Sequence, residues 1–275
     1  MEDIVLDVEA SDIDCLYRIA RRTSSARRVM YVTICDASII PAEERTESGS
    51  ILKNLRKLAG WTDETWHTMI ASRTTTGIRT ELDHTAPHAL SNEILLPQVP
   101  RYDIFDVEIL AWSKHRTPRA RIGGQDVFMK IAPFSYQLPY LQQEVKMYQY
   151  LLGEEFPMAP ELLGYVYEET ADRIIGFLCE GVKGRHPLAG DLNSCINALE
   201  RLHAKGVYHG DINKYNMLIT PANEVVFIDF EDSAITATSE WSDTEMAGLM
   251  QAEEHGLSDC LSDQSNRGRP LDMSG

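Results

Sequence analysis

The sequence has few cysteines, little positive charge and no long apolar run. Its five cysteines are an odd number and none forms a C-x-x-C pair, so neither a disulfide framework nor a zinc site is indicated, and a reducing compartment suits the chain. Lys and Arg number 26 against 42 Asp and Glu, a formal net charge of -16. A chain that works on nucleic acid or on an anionic membrane wants a basic face, so neither partner is expected, and an acidic partner is disfavoured too. The nearest thing to a basic cluster, Arg21, Arg22, Arg27 and Arg28, reads as a solvated turn. No stretch of about 18 apolar residues occurs, the acidic start is not followed by an apolar signal region, and no internal repeat is visible. The expectation is a soluble, intracellular, cytoplasmic protein. At 275 residues, 43% hydrophobic and 25% charged, there is enough chain for one large or two small cores.

Three regions are predicted. Residues 1–100 form an N-terminal extension with candidate strands near 15–20 and 29–35 and a helix near 51–59. The first of these strands also satisfies helical spacing through Ile13, Leu16, Tyr17 and Ala20, and residues 41–49 read as a loop. Pro97 and Pro100 mark the boundary. Residues 101–180 begin with a three-strand antiparallel meander near 104–111, up to 122, and 127–131, with turns at 113–118 and 123–126. Period-two alternation in the last strand puts Val127, Met129 and Ile131 on one face and Phe128 and Lys130 on the other. A helix over 141–152, with Pro139 near its start and Gly153 at its end, carries Glu144. Strands near 163–168 and 173–180 lead into a hinge at 181–184. Residues 181–275 hold a helix over 192–205 with Asp191 as N-cap and Gly206 past its end, a short hairpin over 217–228, a helix near 243–255 and a frayed tail.

The informative stretch is His209-Gly210-Asp211-Ile212-Asn213-Lys214-Tyr215-Asn216, followed by Ile228-Asp229-Phe230-Glu231. Asn216 and Asp229 lie at opposite ends of the predicted hairpin, so both can approach one cation. Magnesium takes hard oxygen donors and retains waters, so one amide oxygen and one carboxylate, with nucleotide phosphates completing the shell, is a workable protein contribution. Asp211 is then left to accept or orient an attacking hydroxyl. Alone, Asp211 would read as a turn residue and Asn216 as an Asx cap. Together, between a helix and a hairpin, they point to phosphoryl transfer, which needs positioning and charge neutralisation more than covalent chemistry.

On these motifs, residues 102–250 resemble the protein-kinase-like superfamily. The wording His-Gly-Asp is similar to its small-molecule and atypical branches: aminoglycoside and choline phosphotransferases, RIO-type kinases and lipopolysaccharide kinases. The phrases Ile175-Gly176-Phe177-Leu178 and Ile228-Asp229-Phe230-Glu231 are similar to a group of fungal kinase-like proteins. The resemblance implies an α+β, bilobal fold with an antiparallel N-lobe sheet, a minimal helical C-lobe and ATP between them, behind an N-terminal α/β extension. It implies Lys130 on the α and β phosphates, Glu144 paired with that lysine, and a hinge at 179–183 whose residues, Glu180 and Val182 among them, receive adenine. It further implies Asp211 as the base, Asn216 and Asp229 on Mg²⁺, and Glu231 supporting a second metal.

The departures are also informative. The segment 112–118 lacks the G-x-G-x-x-G loop that covers phosphates and offers the cations Lys114 and Arg116 instead, against the plainer reading of a solvated turn. Lys214 lies three residues after Asp211, where serine/threonine kinases place their lysine two after. His209 reads as a packed buttress of the loop. No Ala-Pro-Glu motif follows Glu231, which disfavours a conventional protein kinase. The expected function is ATP- and Mg²⁺-dependent transfer of a phosphate to a hydroxyl of a small molecule. Two alternatives stand beside it: a pseudokinase or nucleotide-gated binding module, and an atypical, RIO-like kinase or ATPase. The extension is open to substrate contacts, bracing of the sheet or recruitment of a protein partner.

Overall fold

The first part of the chain forms a five-stranded sheet in the computed structural model, which describes residues 2–22, 27–114, 116–265 and 268–270, the side chains of Ser113 and Lys114 excepted. The chain divides into two compact units. The first comprises the described residues up to 89 together with 133–135 and 168–173. Its strands are β1 (Glu2–Ala10), β2 (Cys15–Arg22), β3 (Arg27–Ile34), β4 (Thr68–Thr74) and β5 (Gly77–Asp83), in the spatial order β1-β2-β3-β4-β5. Helix α1 (Ser48–Leu55) supplies the crossover that the parallel pair β3/β4 requires. Residues 15–20 are therefore strand and not helix, because β2 is hydrogen-bonded on both sides, to β1 and β3. Helix α1 starts three residues before the predicted 51–59 and stops at Leu55. Glu47 sets the start: its carboxylate accepts the Gly49 and Ser50 N–H groups at 2.8 and 2.6 Å. Tyr17, Ile19, Met30, Val32, Ile51, Leu55, Trp61 and Trp66 form the core of this unit.

The same unit buries an ionic cluster. Glu168 accepts from Arg18, from the Tyr31 hydroxyl at 2.7 Å and from Arg173 at 2.8 Å, and Arg18 also pairs with Asp7. Burial alone would raise the Glu168 carboxyl, but Arg18 and Arg173 outweigh it and hold the group below the usual range.

The second unit is built on a six-stranded sheet of order β6-β10-β11-β9-β8-β7, comprising β6 (Arg101–Asp103), β7 (Glu108–Lys114), β8 (Thr117–Ile122), β9 (Gln125–Ile131), β10 (Leu162–Tyr167) and β11 (Ile174–Glu180). Strand β7 begins later than predicted. Residues Ile104–Asp106 form a 3-10 turn, capped by Asp103, whose carboxylate accepts the Phe105 N–H at 2.9 Å. The turn predicted at 113–118 shrinks correspondingly, since β7 runs to Lys114 and β8 starts at Thr117.

Helices α2 (Leu138–Gly153), α3 (Leu192–Ala204) and α4 (Asp243–Ser262) follow in the chain, with the small pairings of β12 (Val207–Tyr208) to β15 (Ala234–Ile235) and β13 (Met217–Ile219) to β14 (Val225–Phe227). One core takes Leu141, Val145 and Tyr148 from α2, Leu199 and Leu202 from α3, Phe227 from the hairpin and Leu257 from α4. The opposite sheet face buries Val127, Met129, Ile131, Ile175 and Leu178. Asp191 stands at the N-cap position of α3, as predicted, but its side chain makes no cap bond. Its carboxylate is taken by Arg185 at 2.6 and 2.9 Å and by the Leu188 N–H at 2.8 Å. Helix α4 extends past 255 and opens on a reciprocal cap between Ser242 and Glu245. Among the described residues no helix is long and apolar enough to cross a membrane.

Candidate active site

Lys130 owes its position to β9 alternation. The strand turns Val127, Met129 and Ile131 into one apolar core and Lys130 to the other side, where it is buried and not the solvated strand lysine that the spacing also allowed. Glu144, one helical turn beyond Leu141 on the buried face of α2, meets it: Oε2 lies 2.6 Å from the Lys130 Nζ, while Oε1 accepts the Phe230 N–H at 3.2 Å. Asp229 Oδ1 is 2.5 Å from the same ammonium and Glu231 Oε1 3.3 Å. Glu231 also accepts from Arg116. Burial opposes the Lys130 charge, but Glu144, Asp229 and Glu231 outweigh it and raise the lysine above its usual range. Burial pushes the Glu144 carboxyl up to about 7, against the pull of Lys130 and with the push of Asp229 and Glu231. Asp229 itself sits at φ +68, a left-handed conformation that a non-glycine residue adopts at some cost and that is characteristic of functional positions.

Lys130, Glu144 and Asp229 line a cavity of about 340 Å³, small but within the range of ligand sites. Phe128, Tyr148, Phe177, Leu218 and Ile228 wall it, and Glu180 and Val182 are among its lining residues. Backbone groups in this hinge already have partners. The Glu180 N–H donates to Glu161 O at 2.9 Å, and the Val182 N–H folds back onto Glu180 O at 3.1 Å. Lys114 belongs to β7, and its side chain lies outside the described residues.

The His209–Asn216 loop is held from three directions. His209 is buried, and burial pushes it below the usual imidazole range. In this neutral form its partners define the tautomer: Nε2–H donates to Ile228 O at 3.2 Å and Nδ1 accepts the Asp211 N–H at 3.4 Å. Gly210 has φ +88, and a Cβ there would stand 2.0 Å from the Asp232 carbonyl oxygen, so only glycine fits. Asn216 is buried. It donates from Nδ2 to Asp211 Oδ2 at 2.8 Å and to Asp211 O at 2.9 Å, while the Asn213 Nδ2 reaches the same carboxylate oxygen at 3.2 Å. The Ile228 N–H donates to Asn216 O at 3.0 Å, which joins the Asn216 and Asp229 segments as the hairpin predicts. Lys214 bonds instead to the Asp263 carbonyl. Beside Asp211 opens a second cavity of about 530 Å³, lined by Tyr215, Asp259, Cys260, Ser262 and Asp263 among others.

Among the described residues no three His, Cys, Asp or Glu side chains converge as a ready-made metal cage. The candidate oxygen donors are the Asp229 and Glu231 carboxylates, both within 3.3 Å of the Lys130 ammonium, and the amide oxygen of Asn216, whose backbone is joined to the Asp229 segment through the Ile228 N–H. Since the Asn216 amide N–H groups point to Asp211, its acceptor capacity toward a cation rests on its carbonyl oxygen. This hard, incomplete oxygen set fits magnesium, which keeps waters and phosphate oxygens in its shell.

A family model described as the RIO domain matches residues 185–244. The match covers less than a quarter of the chain, and no curated protein matches. It begins at the Arg185 bridge to Ile219 and takes in the whole His209–Asn216 loop, Asp229 and Glu231. Lys130 and Glu144 lie outside it, so the pairing of Glu144, Lys130 and Asp229 is an observation separate from the RIO match.

Glu253 is the residue that sequence reasoning missed. From α4, well past the motif in sequence, its carboxylate accepts the Gly210 N–H on Oε1 at 2.8 Å and the His209 N–H on Oε2 at 3.2 Å. His203 lies 2.9 Å from both Glu253 and Glu254. Burial alone would lower His203, but the two carboxylates outweigh it and raise it. Glutamine at 253 would turn an amide N–H₂ toward one of these backbone donors. Glu253→Gln is therefore expected to lower the unfolding free energy by about 1–3 kcal/mol in urea titration without changing nucleotide affinity.

Proposed function

We propose that this protein is an ATP- and Mg²⁺-dependent phosphotransferase or ATPase of the atypical, RIO-like kind. The observation that carries the reading is the buried Lys130, held at once by Glu144 and Asp229 where all three line a cavity walled largely by apolar side chains. A lysine fixed in this way presents a permanent cation to phosphates, and the apolar walls suit a base. In this reading residues 101–180 and 181–275 act as the two lobes of a kinase-like fold with the nucleotide between them, and the N-terminal extension, whose compact part ends at residue 89, is open to a protein partner. Glu180 and Val182 border adenine. Asn216, Asp229 and Glu231 would hold magnesium, which when bound neutralises phosphate charge. Asp211 accepts the proton of the attacking hydroxyl, oriented by Asn216 and Asn213.

The acceptor takes either of two forms. The cavity beside Asp211 is roomy enough for a small-molecule hydroxyl, whereas the RIO match favours the kind of chemistry carried out by atypical kinases and ATPases. The latter has the stronger support.

Thermal melts with and without Mg·ATP test the site. A ligand that binds only the folded state stabilises it by about 2.7 kcal/mol at a hundredfold excess over its dissociation constant, and ADP formation should accompany the shift. No shift at millimolar nucleotide would remove the reading, and a shift without ADP formation would leave a nucleotide-binding module.

A further inference from the structure

The turn between β7 and β8 has no glycine loop to cover phosphates, yet it sends one cation inward. Arg116 continues the β8/β9 register, its carbonyl accepting the Ile131 N–H at 3.2 Å. The other two arginines of this ribbon, the exposed Arg119 and the half-buried Arg121, pair with Asp126. Arg116 instead turns toward Lys130. Its Nη2 donates to Glu231 Oε1, the oxygen that also lies 3.3 Å from the Lys130 Nζ. Its Nη1 is buried and has no hydrogen-bond partner among the described residues.

Two features of this geometry are informative. A guanidinium that uses one arm and leaves the other buried and unpaired is under-satisfied, since its planar fork is built for bidentate contact with an oxyanion. Two cations, Arg116 and Lys130, also converge on a single anionic oxygen, and Lys130 and Thr117, the neighbour of Arg116, both line the 340 Å³ cavity. That convergence resembles the surroundings of a phosphate oxygen.

We propose that Arg116 is a phosphate-binding residue, and that Glu231 Oε1 occupies in the nucleotide-free protein the place that a non-bridging phosphate oxygen takes on binding. The guanidinium exchanges a one-armed contact for a two-armed one and supplies from a side chain the N–H donors that a glycine loop supplies from its backbone. Glu231, released from Arg116, turns to the cation side of the site. The inference rests on the nucleotide reading above and adds to it a residue and a partner exchange.

Calorimetric titration of wild-type protein, Arg116→Met and Arg116→Lys with Mg·ATP, Mg·ADP and adenosine tests it. Arg116→Met is expected to weaken ATP by roughly 10- to 100-fold, the worth of a charge-assisted contact, and to leave adenosine unchanged. Arg116→Lys should recover part of the loss, because it restores the charge without the fork. Glu231→Gln, which weakens the competing contact, should tighten ATP binding in the absence of Mg²⁺ and keeps the test open should Arg116→Met not fold. ATP affinity in Arg116→Met equal to wild type would overturn the proposal. So would an equal loss for ATP and adenosine, which is the signature of a structural brace, or weaker Mg-free ATP binding by Glu231→Gln. Wild-type protein that binds no nucleotide would overturn the phosphotransfer reading itself, a result distinct from each of these.

Discussion

Asp211→Asn is expected to lower turnover by about 10²–10⁴-fold, the usual worth of a positioned general base, while the affinity for Mg·ATP stays at the wild-type value. The geometry separates the two effects. Asp211 is exposed, and its carboxylate only accepts: Oδ2 takes the Asn216 amide at 2.8 Å and the Asn213 amide at 3.2 Å. An asparagine at 211 keeps an oxygen able to accept both, so the loop geometry and the Asn216 orientation survive. What is lost is the capacity to take a proton. Neither Lys130 nor the apolar walls touch Asp211 in any contact described above, which is why binding should persist. ADP formation by a coupled assay, with a parallel titration of nucleotide, checks both halves. Turnover that survives the change would sink the assignment of the base, and lost affinity would make Asp211 a ligand of the nucleotide or its cation.

The difference between what was legible in the sequence and what was not has a physical basis. The stretch of His209, Gly210, Asp211 and Asn216 was readable as a unit because its residues are close in sequence, although the bond from Asn216 back to Asp211 was not foreseen. Lys130 was half readable. Alternation placed it off the apolar face, but its burial depends on α2 and the Asp229 segment converging, which no local pattern encodes. Glu253 was invisible because nothing in α4 distinguishes a carboxylate that grips two backbone N–H groups from one facing solvent. Arg116 was weighed as a phosphate contact against a solvated turn, and no local pattern shows that its guanidinium is drawn to Glu231. Strand β1 was missed because a register shift between Val5 and Asp7 breaks its alternation, and the β4/β5 hairpin because it is polar and leaves Ile70 and Ile78 exposed.

Lys130→Met should have the largest effect on stability, and its pH dependence is diagnostic. In the wild type one ammonium serves Glu144, Asp229 and Glu231, with Arg116 helping only Glu231. Removing one partner of a buried ion pair typically costs about 3–5 kcal/mol, because the other charge is left uncompensated. Methionine fills the volume but leaves Glu144, almost fully buried, without its counter-ion. The group then escapes by protonation. Burial already pushes Glu144 to about 7 with Lys130 present, and losing the cation moves it further up. A carboxyl raised in the folded state binds more protons there than in the unfolded chain. Its folded form is therefore favoured below the ordinary carboxylate range and loses stability as pH rises through the folded value. The variant's deficit relative to wild type should accordingly be small near pH 5, where Glu144 is protonated in both folded proteins, and grow as pH rises above about 7. Denaturant titrations near pH 5 and pH 8 measure it, and ATP binding should be lost at both. A deficit that does not change with pH would mean that Glu144 is not desolvated as its burial implies, and a variant as stable as wild type at pH 8 would remove Lys130 from the centre of the charge cluster.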